Sequence, residues 1–135
     1  MDEVRFLTEK EIIFINAMVV KQYTPTEEIR VKEPSLLNSA VNRPKQSAFG
    51  EDAYPTIWLK AAALFESIAK NHAFAVGNKG TGFAALYQFL WVNGYRLRID
   101  EEGAEEFALA IVKKKPPIPL KEIAETIEKY AERLP

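Results

Sequence analysis

A single histidine and a glycine-rich stretch are the residues best suited to chemistry in this sequence. His72 is the only histidine among 135 residues, and Asn78-Lys79-Gly80 begins six residues later. Apolar periodicity on either side predicts a helix ending near Asn71 and another beginning near Thr81. Free backbone N–H groups and the positive dipole end at a helix start form an anion site. A histidine base and an adjacent anion site are the smallest set of groups that phosphoryl or nucleotidyl transfer requires.

These glycines allow other interpretations. The segment 80–85 has the G-x-G-x-x-A spacing of a dinucleotide-binding turn, but that turn needs a preceding strand, and a helical pattern precedes this one. A Walker A loop needs Gly-Lys before Ser or Thr, whereas the order here is Lys79-Gly80-Thr81. A glycine-rich corner between two core helices, without chemistry, stays open as an alternative.

The N-terminal half must supply elements that position this loop. Thr8 and Glu11 form the pattern of a capping box, which predicts a largely buried helix ending near Tyr23. Residues 24–52 are punctuated by prolines and a glycine, and only Ser35–Val41 is expected to form a short helix. Long irregular segments inside compact domains are often binding loops or flaps, although ordinary connections are commoner.

The remaining chain predicts mainly helices. Asp52 is expected to cap a helix from about Ala53 to Asn71, and the helix from Thr81 to Asn93-Gly94 is expected to be the centre of the core. Residues 95–99 alternate like a short strand, and 104–112 and 120–134 have the periodicity of amphipathic helices. The sequence therefore predicts an all-α fold, with residues 1–135 as one domain.

Composition narrows the classes of partner. The formal net charge is −1, so the chain has no net positive charge that would favour binding to nucleic acid or an anionic membrane. The absence of cysteine excludes disulfides, thiolate metal sites and thiol catalysis. There is no signal-type N-terminus and no apolar run of about 18–20 residues, so we expect a cytoplasmic protein without direct membrane or nucleic-acid binding.

A longer pattern surrounds the histidine. His72, Phe74, Gly77, Asn78, Lys79 and Thr81 match in register the motif His-Pro-Phe-x-Asp/Glu-Gly/Ala-Asn-Lys-Arg-Thr. The flanking segments 54–56, 60–64 and 93–95 agree, and so do 39–44 and 49–50 upstream. On these residues, the chain resembles Doc (death-on-curing) toxins of the Fic/Doc superfamily over about residues 30–130. Lys79, where adenylylating Fic proteins tend to carry glycine, points to the Doc branch.

The resemblance implies a helical Fic/Doc (Fido) bundle with a short flap loop or hairpin and a role for each matched residue. His72 would be the catalytic base, and Phe74 would pack into the core and hold the loop. Phosphate or nucleotide would be bound by Gly77, Asn78, Lys79, Gly80 and Thr81. The flap that docks the target would include Asn42, Arg43, Pro44 and Phe49. Such proteins resemble kinases that use ATP and Mg²⁺ on a threonine of elongation factor Tu, with an antitoxin as partner.

Two departures from the motif affect the expected chemistry. Val76 replaces the acidic residue that helps to hold Mg²⁺, and valine offers no oxygen ligand, so no metal ligand is expected in this chain. Gly80 replaces the arginine that clamps phosphate. The first hypothesis is therefore a Doc-like toxin whose phosphotransferase framework is impaired. The alternative is a catalytically inactive module that binds a protein or peptide, and an adenylylating enzyme is the least favoured.

Overall fold

The computed structural model describes residues 3–135, and most of these residues are helical. The helices are α1 (Glu9–Tyr23), α2 (Pro34–Asn42), α3 (Ile57–Asn71), α4 (Asn78–Val92), α5 (Glu101–Lys113) and α6 (Leu120–Tyr130). The short strands are β1 (Ser47–Ala48), β2 (Glu51–Asp52), β3 (Tyr95–Leu97) and β4 (Ala131–Arg133). The predicted all-α class is confirmed. The single-domain prediction covered 1–135, of which residues 1 and 2 lie outside the described part.

Local hydrogen bonds explain where the first helices begin. The predicted capping box is present in α1, since the Glu11 amide donates to Thr8 Oγ1 at 3.2 Å and the Thr8 amide donates to Glu11 Oε1 at 2.9 Å. The predicted start of α3 at Asp52 is wrong. Thr56 is the N-cap, and its hydroxyl accepts from the Leu59 amide at 3.1 Å. Asp52 instead belongs to β2 and accepts a hydrogen bond from Lys60.

The centre of the core is α3 rather than α4, which the sequence had favoured. Helix α3 packs against α2, α4, α5 and α6. Its middle is buried almost all round, from Lys60 to Phe65 and again from Ser67 to Ala69. The rings of Phe83 and Phe107 meet Phe65 edge-on, at centroid distances of 6.1 and 5.3 Å. Aromatic edges and small alanines therefore join α3 closely to its neighbours.

The C-terminal segment differs from its prediction. The helix expected over 120–134 ends at Tyr130, and residues 131–133 form β4, which pairs antiparallel with β3. The strand expected over 95–99 is shorter, at Tyr95–Leu97. Backbone pairing with β3 satisfies the donors and acceptors that a last helical turn would otherwise use, which explains the switch.

The segment before α3 is more ordered than its composition suggested. It contains α2, a single 3-10 turn at Arg43–Lys45, and a hairpin of β1 and β2 in which Ser47 faces Asp52. The hairpin corresponds to the flap expected from the resemblance. Across residues 3–135, no helix combines the length and the apolar character needed to cross a bilayer.

Candidate functional site

His72 lies at the C-cap of α3, where the chain leaves the helix. Its backbone is left-handed, with φ 55° and ψ 47°, and its side chain is exposed. Left-handed geometry is unfavourable for a residue with a side chain, and helices usually place glycine there. The imidazole is therefore presented to solvent at the start of the loop 72–77, at some cost in backbone energy.

The loop after His72 is held by its neighbours on both sides. The Asn78 side chain accepts from the Phe74 amide at 3.0 Å and donates to the Phe74 carbonyl at 2.9 Å. The segment 30–33 runs antiparallel along the same loop, with a bridge between Val31 and Phe74 and a hydrogen bond from the Ala75 amide to Arg30. Phe74 itself is buried in the core. The loop is thus a fixed element rather than a free connection.

The start of α4 offers backbone donors. Gly77 is its N-cap, in a left-handed conformation with φ 78°. The first intrahelical bond is donated by the Thr81 amide to the Gly77 carbonyl at 2.8 Å. The N–H groups of residues 78–80 precede that bond, and within the described chain no side chain caps this end. Three free amides at the positive end of a helix are the donors that the predicted anion site requires.

Asn16 of α1 supports the same turn, a role that was not predicted from the sequence. This side chain is only 1% exposed. Its Nδ2 donates to the Val76 carbonyl and to Thr81 Oγ1, both at 3.0 Å. Asn16 thereby joins the residue before the N-cap to the first turn of α4. The available signal was a lone amide side chain within the apolar run of residues 12–20.

Two predicted phosphate-binding side chains are used otherwise. Thr81 is fully buried, and its hydroxyl is hydrogen-bonded to Asn16, so it does not face an anion. The Asn78 side chain is engaged with the backbone of Phe74, so this residue offers its backbone N–H instead. Lys79 is half-buried in the first turn of α4. The candidate phosphate-binding groups that remain are therefore backbone N–H groups, with Lys79 in the same helical turn.

The two departures from the motif have structural counterparts. Val76 places an aliphatic side chain where an oxygen ligand was expected, and in residues 3–135 no three His, Cys, Asp or Glu side chains cluster as a metal site. Residue 76 therefore supplies no side-chain ligand to Mg²⁺. A Cβ atom at Gly80 would lie 3.0 Å from Val19 Cγ1 of α1. Helix α1 therefore packs closely over the position at which the motif has arginine.

Comparisons with known proteins identify the family of this chain. The model of the Fic/DOC family matches residues 6–90. The chain belongs to the Fic/DOC family. It is also 49% identical, over 73 residues, to a protein of Mycolicibacterium smegmatis named Toxin Doc. That match covers 54% of this chain and 56% of the relative, so the chain spans just over half of the relative's length.

The flap of this Fic/DOC chain is only partly as predicted. Phe49 is fully exposed at the hairpin tip, with φ 56°. Pro44 is buried, and the Asn42 side chain donates to the Asn38 carbonyl at 2.9 Å. Arg43 points inward, where it contacts Tyr54 and Glu66. Burial alone would lower the pKa of the Arg43 guanidinium, but hydrogen bonds to Tyr54 and Glu66 raise it. Of these four residues, Asn42 and Phe49 are exposed, and Phe49 is the one at the hairpin tip.

A second surface of the Fic/DOC chain lies between α1 and α4. This groove has a volume of about 540 Å³. It is lined mainly by apolar side chains and the stems of longer polar ones, including Phe14, Ile15, Met18, Val19, Ala84 and Gln88. Phe14 is 59% exposed and Met18 is 57% exposed. Exposed apolar side chains concentrated along a groove are typical of a site that binds another protein segment.

Proposed function

We propose that this Fic/DOC chain is a Doc-like toxin of a toxin–antitoxin system, built on a phosphotransferase framework that is impaired here. The observation that carries the proposal is the set of free N–H groups at residues 78–80, which begin α4 one short loop after His72. Both features lie within residues 6–90, which match the family model. The name of the relative from M. smegmatis supports the toxin role.

In this proposal, the reaction is phosphoryl transfer from ATP to a protein hydroxyl on a translation factor resembling elongation factor Tu. The exposed His72 imidazole takes the proton of the hydroxyl as its oxygen forms a bond to the γ-phosphorus. The bond from that phosphorus to the bridging oxygen of ADP breaks at the same time. The amides of residues 78–80 hold phosphate oxygens, and Lys79 adds a positive charge beside them.

Impairment follows from the groups that are missing. Loss of one preorganised charge stabiliser commonly lowers the rate by about 10²–10³-fold. Val76 supplies no oxygen to a metal, and Gly80 supplies no guanidinium to phosphate. Losses within one site need not add, but both act on the same phosphate charge. The expected activity is therefore far below that of an intact site.

A transfer assay tests the proposal. The purified chain is incubated with radiolabelled ATP, Mg²⁺ and elongation factor Tu, beside the double variant Val76→Asp/Gly80→Arg. We expect labelling near background for the unsubstituted chain and at least about 100-fold more for the double variant. The matched control adds His72→Ala to the double variant and should abolish the gain. Strong labelling by the unsubstituted chain contradicts the impairment, and a folded but inert double variant contradicts the phosphotransferase assignment.

The alternative function is a non-catalytic module that binds an antitoxin segment, and the groove between α1 and α4 specifically favours it. An amphipathic helix could place its apolar face against Phe14 and Met18, as in other helix-in-groove complexes. This groove and the anion site use different residues. Binding of a peptide does not therefore require nucleotide chemistry.

Calorimetric titration distinguishes the two functions. One titration uses ATP, and the other uses a peptide from the proposed antitoxin partner. Peptide binding that Phe14→Ala weakens, without any ATP binding even in the double variant Val76→Asp/Gly80→Arg, supports the module. ATP binding by that double variant supports the impaired toxin. As a control, Leu109→Ala changes a partly exposed apolar residue on α5, outside the groove, and should leave both titrations unchanged.

A further inference from the structure

One buried and one half-buried basic side chain lie at the base of the flap, and the proposed chemistry uses neither. Arg43 lies just before the hairpin of β1 and β2, and Lys60 lies in the first turns of α3 just after it. Lys60 is only 4% exposed. Lysine is almost never fully buried unless it is paired, because removing an ammonium group from water is costly. Such burial calls for an explanation in the contacts of each side chain.

Arg43 joins the start of the flap segment to its end and to α3. Its Nε donates to the Tyr54 hydroxyl at 2.9 Å, and its carbon Cζ lies 5.4 Å from the centre of the Tyr54 ring. One terminal nitrogen of the same guanidinium donates to Glu66 Oε1 at 2.8 Å and to Ser67 Oγ at 3.0 Å. A guanidinium holds several partners in a fixed planar arrangement, which a flexible ammonium does not.

Lys60 secures the returning arm of the hairpin. Its Nζ donates to the Asp52 carboxylate at 3.1 Å and to the Tyr54 carbonyl. Asp52 is the last residue of β2 and faces Ser47 of β1. Within the hairpin, the Ala53 amide also donates to the Gln46 carbonyl at 2.9 Å. The small hairpin is thus connected internally, and Lys60 fixes one of its arms to α3.

Tyr54 is the point at which the two basic residues meet. Arg43 binds its side chain, and Lys60 binds its main-chain carbonyl. We name Arg43, Tyr54 and Lys60, with their acceptors Asp52 and Glu66, the flap anchor. A two-stranded hairpin with so few backbone bonds is not stable by itself in water. The orientation of its exposed tip at Phe49 therefore depends on the flap anchor.

We infer that the flap anchor is a positioning device, which holds the hairpin in a fixed orientation so that a protein substrate docks on it. This inference rests on the proposed function. It assigns Tyr54 and Lys60 a role in protein-substrate affinity and none in nucleotide binding. A preset docking segment does not have to be ordered when the partner binds, so it binds more tightly than a mobile one.

The position of the hairpin is measured first, because this readout does not depend on activity. The chain has no cysteine, so Ser47→Cys accepts a nitroxide spin label at one site in β1. We expect the label to become more mobile in Lys60→Met and in Tyr54→Phe, while the circular dichroism remains helical. Lys121→Met and Tyr130→Phe change the same residue types on α6 and should leave the spectrum unchanged. Unchanged label mobility in both anchor variants overturns the inference.

Docking is measured second, with unlabelled protein that keeps Ser47. Elongation factor Tu is titrated against the double variant Val76→Asp/Gly80→Arg, with and without Tyr54→Phe or Lys60→Met, and ATP is titrated separately. We expect about 3- to 10-fold weaker binding of the factor and unchanged binding of ATP. If mobility rises while affinity for the factor stays the same, the docking role is overturned. If the parent binds no factor at all, the proposed target fails, and the mobility result alone decides whether the anchor fixes the hairpin.

Discussion

At the residue scale, His72 has an unfavourable backbone conformation that packing of its side chain does not offset. The residue ends α3 in the left-handed region, which costs about 1 kcal/mol or more for a residue with a side chain. Strained positions of this kind cluster at functional sites. The side chain is exposed, so packing of the imidazole does not recover that cost.

Replacing His72 tests this account. We expect His72→Gly to raise the free energy of unfolding by up to about 1 kcal/mol, because glycine adopts the left-handed conformation without a steric penalty. His72→Ala keeps the penalty and should be close to neutral. Urea denaturation of the three proteins measures the difference. Equal stability of the glycine and alanine variants would show that the position is not strained.

Some site residues can be identified from spacing within a motif, whereas the role of others depends on contacts with distant parts of the chain. The burial of Phe74 was predicted correctly, and His72 could be named as the candidate base, because a motif gives residue types at fixed spacing. The inward turn of Arg43 was not foreseen, because it depends on Tyr54 and Glu66, which come from other parts of the chain. Thr81 was predicted to bind phosphate because the true partner of its side chain also comes from another part of the chain. Its hydroxyl is hydrogen-bonded to α1, and spacing within one motif carries no information about a distant helix.

At the element scale, the packing of α1 over the first turn of α4 limits what residue 80 can be. Val19 Cγ1 lies 3.0 Å from the position of a Cβ at Gly80, closer than most real contacts. Alanine would otherwise be favoured over glycine in a helix by about 1 kcal/mol. Crowding and helix propensity therefore oppose each other at this position, and any side chain placed there must displace Val19.

A double-mutant cycle between residues 19 and 80 measures that opposition. We expect Gly80→Ala to be neutral or destabilising in the unsubstituted chain, because an overpacked contact costs about 1–3 kcal/mol. In a Val19→Ala background, the same change should stabilise by up to about 1 kcal/mol. Urea denaturation of the four proteins gives the coupling free energy. A change at Gly80 with equal effect in both backgrounds would show that α1 does not crowd this turn.

At the same scale, some helix ends could be predicted from the sequence and others could not. The start of α1 was predicted because both halves of its capping box lie within four consecutive residues. The start of α3 was not, because Asp52 and Thr56 are both capping residues, and the choice between them depends on Lys60 and the hairpin. The end of α6 was missed because the periodicity continues to Leu134, while pairing with β3 draws residues 131–133 into a strand.

At the scale of the whole molecule, α3 connects the two candidate functional regions, which are the hairpin and the loop 72–77. Its N-terminal half carries Lys60 of the flap anchor, and its C-cap is His72. The core around Phe65 lies between these positions and packs α3 against α4 and α5. Since the hairpin and the loop 72–77 are both joined to this buried helix, their relative placement depends on the integrity of the core.

Phe65→Ala provides the corresponding prediction. Removing a fully buried ring should lower the free energy of unfolding by about 3–5 kcal/mol, a large part of the roughly 5–15 kcal/mol typical of a domain. Phe14→Ala removes the same ring from an exposed position and should change stability by less than about 0.5 kcal/mol. Thermal unfolding gives both values. With the spin label in β1, Phe65→Ala should loosen the hairpin in the same temperature range in which helix content falls. A hairpin that loosens well before the helices melt would show that the core around Phe65 does not hold the flap.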